Sequence, residues 1–256
     1  MKSFSYSYST HIAYANPVTH HIVRLRCQPT NCYFQRIVSE QLILPRGFWW
    51  RQSTDAMGAS ILQGGMRQAH DTLSYTSQGI VEHTSSYVIP DNSPHPMYRL
   101  PSAMTAFSPD MQVLLIERTR DFLADCLNIC HNVWQWMEYA PGVTTFASTA
   151  HDAFMLRQGV CQDYAHVMIS LCRACGIPAR YVCGLMEGEG ATHAWVEAHD
   201  GMCWYAFDPT NDTAISYNYI RITHGRDACD CAVSRGSFKG ITSQTTNINV
   251  TVKEIK

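Results

Sequence analysis

The chain has 256 residues, 46% of them hydrophobic, and a net charge of −2, enough apolar material for one large domain or two ordinary ones. An isoelectric point near 6.6 offers no basic surface for nucleic acid, and no run approaches the roughly 18 apolar residues of a membrane-spanning helix. The start Met1-Lys2-Ser3-Phe4-Ser5-Tyr6 lacks the apolar centre of a secretion signal, so a cytoplasmic protein is expected, with its eleven cysteines kept reduced.

Residues 4 to about 85 alternate like strands. Ile22, Arg24 and Arg26 interleave with Val23, Leu25 and Cys27, and Gln35 to Leu44 repeats the pattern. A turn around Gly79, between Leu73-Ser74-Tyr75 and Ile80-Val81-Glu82, fits another hairpin. An all-β first domain follows. Residues 86–108 hold Pro90, Pro94, Pro96 and Pro101, the mark of a linker. The chain therefore divides into a β domain over 1–88, a linker over 89–107 and a second domain over 108–256. Ser108-Pro109-Asp110 predicts a helix start with proline in the first turn. Val113, Leu114 and Ile116, and later Phe122, Cys126, Cys130 and Val133, keep helical spacing. Ser148 is expected to cap a further short helix, and Ile248-Asn249-Val250-Thr251-Val252 alternates like a last strand.

Gly159-Val160-Cys161-Gln162-Asp163-Tyr164-Ala165-His166 is the most informative stretch. From Cys161 the apolar and small positions Tyr164, Ala165, Met168, Leu171, Cys172 and Cys175 form a helical stripe, closed by Gly176 and Pro178. Cys161 then lies in the first helical turn, where unpaired N–H groups and the helix dipole favour a thiolate and could hold an oxyanion. Judged on the helix alone, a buried structural cysteine is the stronger reading.

The segment from His193 to Asp208 reads as two alternating strands around His199-Asp200-Gly201-Met202, and Asp-Gly is a two-residue hairpin signal. With Asp200 and Gly201 as the turn, His193 stands directly opposite Asp208 on one face. Ala194, Val196 and Ala198 share the other, apolar face with Phe207, Tyr205 and Cys203. Thiol, imidazole and carboxylate thus occur in the order of a nucleophilic cysteine site: Cys161 attacks, His193 handles the proton, Asp208 orients the ring.

With Gly176-Ile177-Pro178-Ala179-Arg180-Tyr181-Val182, His193-Ala194-Trp195-Val196-Glu197 and Asp208-Pro209-Thr210-Asn211, these residues resemble the core of bacterial transglutaminase-like proteins, often described as candidate cysteine proteases. Tyr139-Ala140-Pro141-Gly142-Val143-Thr144, Gly225-Arg226-Asp227 and Arg235-Gly236 extend the resemblance over most of the chain. It implies an α+β protein, an N-terminal β-sandwich followed by a papain-like, transglutaminase-like core. That core would hold a Cys–His–Asp triad at Cys161, His193 and Asp208, the cysteine on a helix N-terminus packed against an antiparallel sheet. Two departures are visible: Ala228 and Cys231 follow Gly-Arg-Asp where the family often has an aromatic and an aliphatic residue. Asp55-Ala56-Met57-Gly58-Ala59 replaces its Asp-x-x-Gly-Asn.

Other candidates carry less. Cys172 and Cys175 have zinc-ligand spacing, but Cys229 and Cys231 make a poor second half, so buried free thiols are expected. No acidic cluster has calcium-loop spacing, and no cofactor is called for. Asp163 and His166 suggest a structural link one turn apart, and His199 a solvated turn residue. Glu187-Gly188-Glu189-Gly190 suggests a flexible loop edging a groove, and Gln158 could lend an oxyanion donor. Trp195 and Trp204 either wall a cleft or pack a core. The expected substrate is a peptide or protein amide, with no nucleic acid or membrane partner. Water resolving the thioester gives an amidase or peptidase, an amine gives a transglutaminase, and a silent binding module is the third possibility.

Overall fold

The computed structural model describes residues 1–255, and the alternation of its first strand explains the first half of the fold. The opening strands are β1 (Lys2–Leu25), β2 (Gln35–Ile43), β3 (Trp49–Thr54), β4 (Ser60–Met66) and β5 (His70–His83). Along β1, Phe4, Tyr6, Tyr8, Thr10, Ile12 and Tyr14 are all buried while the residues between them are not, as expected of a strand with one covered face. Lys2–Ala13 pair with β5; beyond an irregular register and a left-handed His20 (φ 50°), His21–Leu25 pair with β4. Because β1 changes neighbours along its length, the antiparallel sheet curls around it.

The hairpin expected at Gly79 is absent. β5 runs through that position, and a Cβ there would meet the Ser39 carbonyl oxygen at 2.1 Å. Glycine here permits close approach of β2, at the register irregularity between Ile37 and Ser39. Asp55, in the departed motif, still closes its loop: Oδ1 accepts from the Met57 and Ala59 N–H groups, and Gly58 takes φ 80°.

The proline-rich stretch is built onto the second half. β6 (Val88–Pro90) pairs with the strand containing Trp204, and a 3₁₀ turn over Pro96–Arg99 sets Tyr98 edge-on to the Trp204 ring at 5.3 Å. Ser108 does precede a helical segment with Pro109 first, but it is one 3₁₀ piece ending at Leu114. α1 (Phe122–Trp136) has its own cap, the Asp121 carboxylate accepting from the Ala124 N–H. After β7 (Glu138–Tyr139), α2 (Ala150–Leu156) is capped by Thr149, one residue beyond the expected Ser148, because Thr149 and Asp152 form a reciprocal capping box.

β8 (Gln158–Gly159) leads into α3 (Cys161–Ala174), followed by β9 (Ala179–Met186), β10 (Gly188–Gly190), β11 (His193–His199) and β12 (Cys203–Asp208). β13 (Thr213–Ala214), β14 (Tyr219–Gly225), β15 (Ser234–Lys239) and β16 (Gln244–Ile255) complete the chain. The second sheet has the order β13-β12-β11-β9-β14, with β6 also on β12. Ala165, Met168, Ile169 and Leu171 of α3 join Ala194, Val196, Ala198 and Phe207 in one core, so the apolar hairpin face seats the helix. The tail returns to the first sheet: β15 and β16 both pair with β1, and β10 pairs with β16. Residues 234–255 therefore complete the sheet of the first half, and β10, expected as a loop, ties the approach to His193 onto it.

Candidate active site

Local contacts at the strand-to-helix junction place Cys161. β8 lies parallel to β7 and ends at Gly159. A Cβ on Gly159 would stand 2.6 Å from the Asp163 carboxylate, so only glycine lets the strand end pass this close to the helix. Asp163 Oδ2 accepts from the Val160 N–H at 2.8 Å and from the Thr144 hydroxyl at 2.7 Å. This closes the turn and leaves the partly exposed Cys161 thiol at the first helical position. The N–H groups of Cys161 and Gln162 belong to the opening turn, which has no intrahelical acceptors for them. The expected Asp163–His166 link does not form, because both side chains are buried with other partners. The His166 Nε2 accepts from the Ala228 N–H at 3.1 Å, and burial pushes its pKa down to about 4.

His193 and Asp208 meet, by a register slightly different from the expected one. β11 and β12 pair Val196 with Phe207 and His199 with Trp204, so the turn sits one residue later, at Gly201-Met202. Gly201 supplies φ 113°, and the Asp200 carboxylate accepts from the Met202 and Cys203 N–H groups, fixing that turn. Extending this register sets Asp208 opposite Trp195, with His193 its diagonal neighbour. A two-position offset preserves the face, whereas a one-residue slip would reverse it. The contact therefore survives: His193 Nε2 and Asp208 Oδ2 are 2.7 Å apart.

Asp208 is fully buried and surrounded by donors. Oδ2 also accepts from the Tyr219 hydroxyl at 2.8 Å and the Asn211 amide at 2.6 Å, while Oδ1 accepts from the Thr210 N–H at 2.9 Å. Burial works to raise its pKa, but the hydrogen bonds and the His193 charge outweigh it and hold the carboxyl below its ordinary value. For His193, burial works to lower the pKa, yet the hydrogen bond to Asp208 and the nearby Cys161 carry it up to about 10. Imidazole and carboxylate thus stand hydrogen-bonded, with an imidazolium at neutral pH that the nearby Cys161 also favours.

Tyr219 had no signal in the sequence, since it reaches Asp208 from β14 across the sheet; Asn211 stood in the recognised Asp-Pro-Thr-Asn run without an assigned part. Trp195 is core: it lies 6.3 Å from the His193 ring at 28° and donates from Nε1 to the Tyr87 hydroxyl. That hydroxyl donates in turn to the buried Glu197, which is ion-paired with Arg180 and Arg221. A buried charged network thereby supports the floor under the imidazole. Trp204 lies away from the thiol, beneath the Arg180 guanidinium at 4.0 Å. His199 is buried, accepting from the Gly201 N–H and contacting the Asp91 carbonyl, because the hairpin end is covered by the proline-rich segment. Gln158 directs its amide to Glu138. All eleven cysteines are free thiols. Among the described residues no group of three or more His, Cys, Asp or Glu is placed to hold a metal ion, and no helix is long and apolar enough to cross a membrane.

Two family models match this chain: the transglutaminase-like superfamily over residues 118–209 and the bacterial transglutaminase-like N-terminal region over residues 4–82. An uncharacterized protein of Mycobacterium leprae is 40% identical over 114 residues, 41% of this chain and 40% of its own length. An uncharacterized protein of Mycobacterium tuberculosis H37Rv is 27% identical over 268 residues, 90% of this chain and 85% of its own. The crystal structure of a candidate cysteine protease from Cytophaga hutchinsonii shares the fold, with a TM-score of 0.81 at 24% identity over 100% of this chain and 91% of that one. A thiol at a helix start, an imidazole–carboxylate hairpin and a curled N-terminal sheet thus accompany matches to both family models: the chain belongs to the transglutaminase-like superfamily and carries its bacterial N-terminal region.

Proposed function

We propose that this protein is a cysteine-dependent acyl-transfer enzyme that opens a peptide or protein amide through a thioester and resolves it with water. The observation that carries this reading is the His193–Asp208 hydrogen bond, with Cys161 at the start of α3 close enough to favour the charged ring. With its proton passed to His193, the Cys161 sulfur forms a C–S bond to the amide carbonyl carbon, and the oxyanion develops beside the N–H groups that open α3. His193, protonated at neutral pH, gives its proton to the departing amine as the C–N bond breaks. The neutral ring then takes a proton from the water that attacks the thioester, and the sulfur leaves. Asp208 holds the ring orientation and balances its charge throughout.

Hydrolysis is favoured over transfer to an amine because the cleft bordered by Gln162 and Thr192 is lined by no carboxylate, among the described residues, that would gather a lysine ammonium. Eleven unpaired thiols suit a reducing cytoplasm. The test is the pH dependence of iodoacetamide labelling, with each cysteine followed by mass spectrometry. Cys161 is expected to label fastest well below pH 8 and to slow in His193→Ala. Labelling no faster than that of the partly exposed Cys203, in a folded protein, would overturn the assignment and favour a binding module.

A further inference from the structure

A cleft of about 340 Å³ opens between the two sheets. Gln162 and Thr192, the chain neighbours of Cys161 and His193, line one wall. The opposite wall comes from the first sheet, and strand register explains its composition. Thr10 of β1 stands directly opposite Ile248 of β16 on one side and Tyr75 of β5 on the other, and Ile12 stands opposite Thr246. Opposed residues share a face, so this face of three strands, drawn from both ends of the chain, lines the cleft that Gln162 and Thr192 also border. Its hydroxyls are fixed: Thr10 Oγ1 donates to the Tyr8 hydroxyl at 2.9 Å, which lies 3.4 Å from that of Tyr75. Phe146, half exposed, stands at the mouth with the Arg235 guanidinium 5.6 Å from its ring. Among the described residues that line the cleft there is no Asp, Glu, Lys, Arg or His.

From this juxtaposition we infer that the first sheet supplies a substrate subsite, built by Thr10, Tyr75, Thr246 and Ile248, that accepts an uncharged aromatic or aliphatic side chain next to the amide opened by Cys161. The inference rests on the proposed thiol chemistry. A charged side chain would lose water without gaining a partner, whereas an apolar one covers Ile248 and Phe146 and leaves the wall hydroxyls bonded to one another. The volume, at the small end of ligand sites, holds a side chain or two of an extended segment and no folded element. The tail strand β16 is thereby a specificity element as well as a structural one.

The test uses three acetylated aminoacyl chloromethyl ketones that differ only in carrying a phenylalanine, glutamate or lysine side chain. Cys161 displaces chloride from the methylene carbon, so a C–S bond forms as the C–Cl bond breaks and chloride leaves. Each rate is divided by that of iodoacetamide, which has no side chain to place in the cleft and reports the thiol itself. The phenylalanine probe is expected to exceed both charged probes by about tenfold or more, and Thr246→Asp, on an exposed strand position, to reduce its ratio by about fivefold while Thr246→Ser does not. Ratios within about twofold of one another, or unmoved by Thr246→Asp, overturn the subsite. If iodoacetamide fails to single out Cys161, the chemistry falls and the cleft is read separately. Acetyl-phenylalaninamide should then shift the Thr246 and Ile248 amide resonances of Cys161→Ala where the glutamate and lysine amides do not; equal shifts from all three overturn the subsite.

Discussion

Replacing Asp208 by asparagine removes one charge from a fully buried position and leaves the shape almost unchanged. His193 is carried from 6.5 to about 10, and at about 1.4 kcal/mol per unit that is roughly 5 kcal/mol of preference for the imidazolium. The largest influence on the ring is burial, which lowers its pKa, and Asp208 provides the strongest opposing hydrogen bond. Without the carboxylate, burial prevails, and the His193 midpoint should fall by about two units or more. The native preference for the charged ring stabilises the fold fully below pH 6.5 and is lost as pH rises through about 10. Asp208 works in the opposite sense: its depressed pKa gives stability present above 3.8 that is lost as pH falls through the folded value. Two assays read these effects, the NMR titration of the His193 ring and melting temperature between pH 6 and 10. The native chain should lose stability across the upper part of that range, and Asp208→Asn should show a flatter profile. Alkylation of Cys161 at pH 7 should slow by about a hundredfold, and by more in His193→Ala. A His193 midpoint that moves by less than about half a unit in Asp208→Asn would refute the assigned role of the carboxylate.

Two further predictions concern buried groups away from the thiol. His83 is fully buried between Phe4 and Phe34, its ring nitrogens lack hydrogen-bond partners, and burial, then the Lys2 charge, push its pKa down to about 4. The neutral ring contributes stability present above pH 6.5 and lost as pH falls through about 4, a swing of about 3 kcal/mol. His83→Phe should therefore melt higher than the native chain at pH 4.5 and lose less stability on acidification from pH 8; parallel melting curves against pH would contradict this. Glu197→Gln leaves Arg180 and Arg221 buried without their counter-ion and should cost about 3–5 kcal/mol in urea unfolding. A loss under about 1 kcal/mol would mean that the network is not the support beneath Trp195 proposed here.

What the sequence revealed, and what it concealed, follows from the range of each interaction. Gly159, Gly176 and Pro178 bound α3 through contacts within a few residues, so the position of Cys161 was legible. The His193–Asp208 contact was legible for a different reason. Asp200-Gly201 marked the hairpin, and although the turn formed one residue later, pleat parity kept both side chains on one face. Gly79 misled because glycine marks a tight approach of strands as readily as a turn, and only the pairing of β2 with β5 distinguishes the two. Tyr219 was hidden because β14 pairs with β9, so nothing near it in the chain points to Asp208. The pairing of β16 with β1 is the extreme case, joining Ser3 to Ile255. Alternation predicted a strand at the tail without naming its partner, since the backbone groups of any open edge would satisfy it. The selective step is side-chain burial: Val250 and Val252 enter the core with Tyr6, Tyr8 and Val81, which fixes the face and places Ile248 opposite Thr10. The wall of the cleft is therefore a by-product of the register that buries the tail. A substitution that shifted that register by one residue would turn Thr246 and Ile248 out of the cleft while leaving His193 hydrogen-bonded to Asp208.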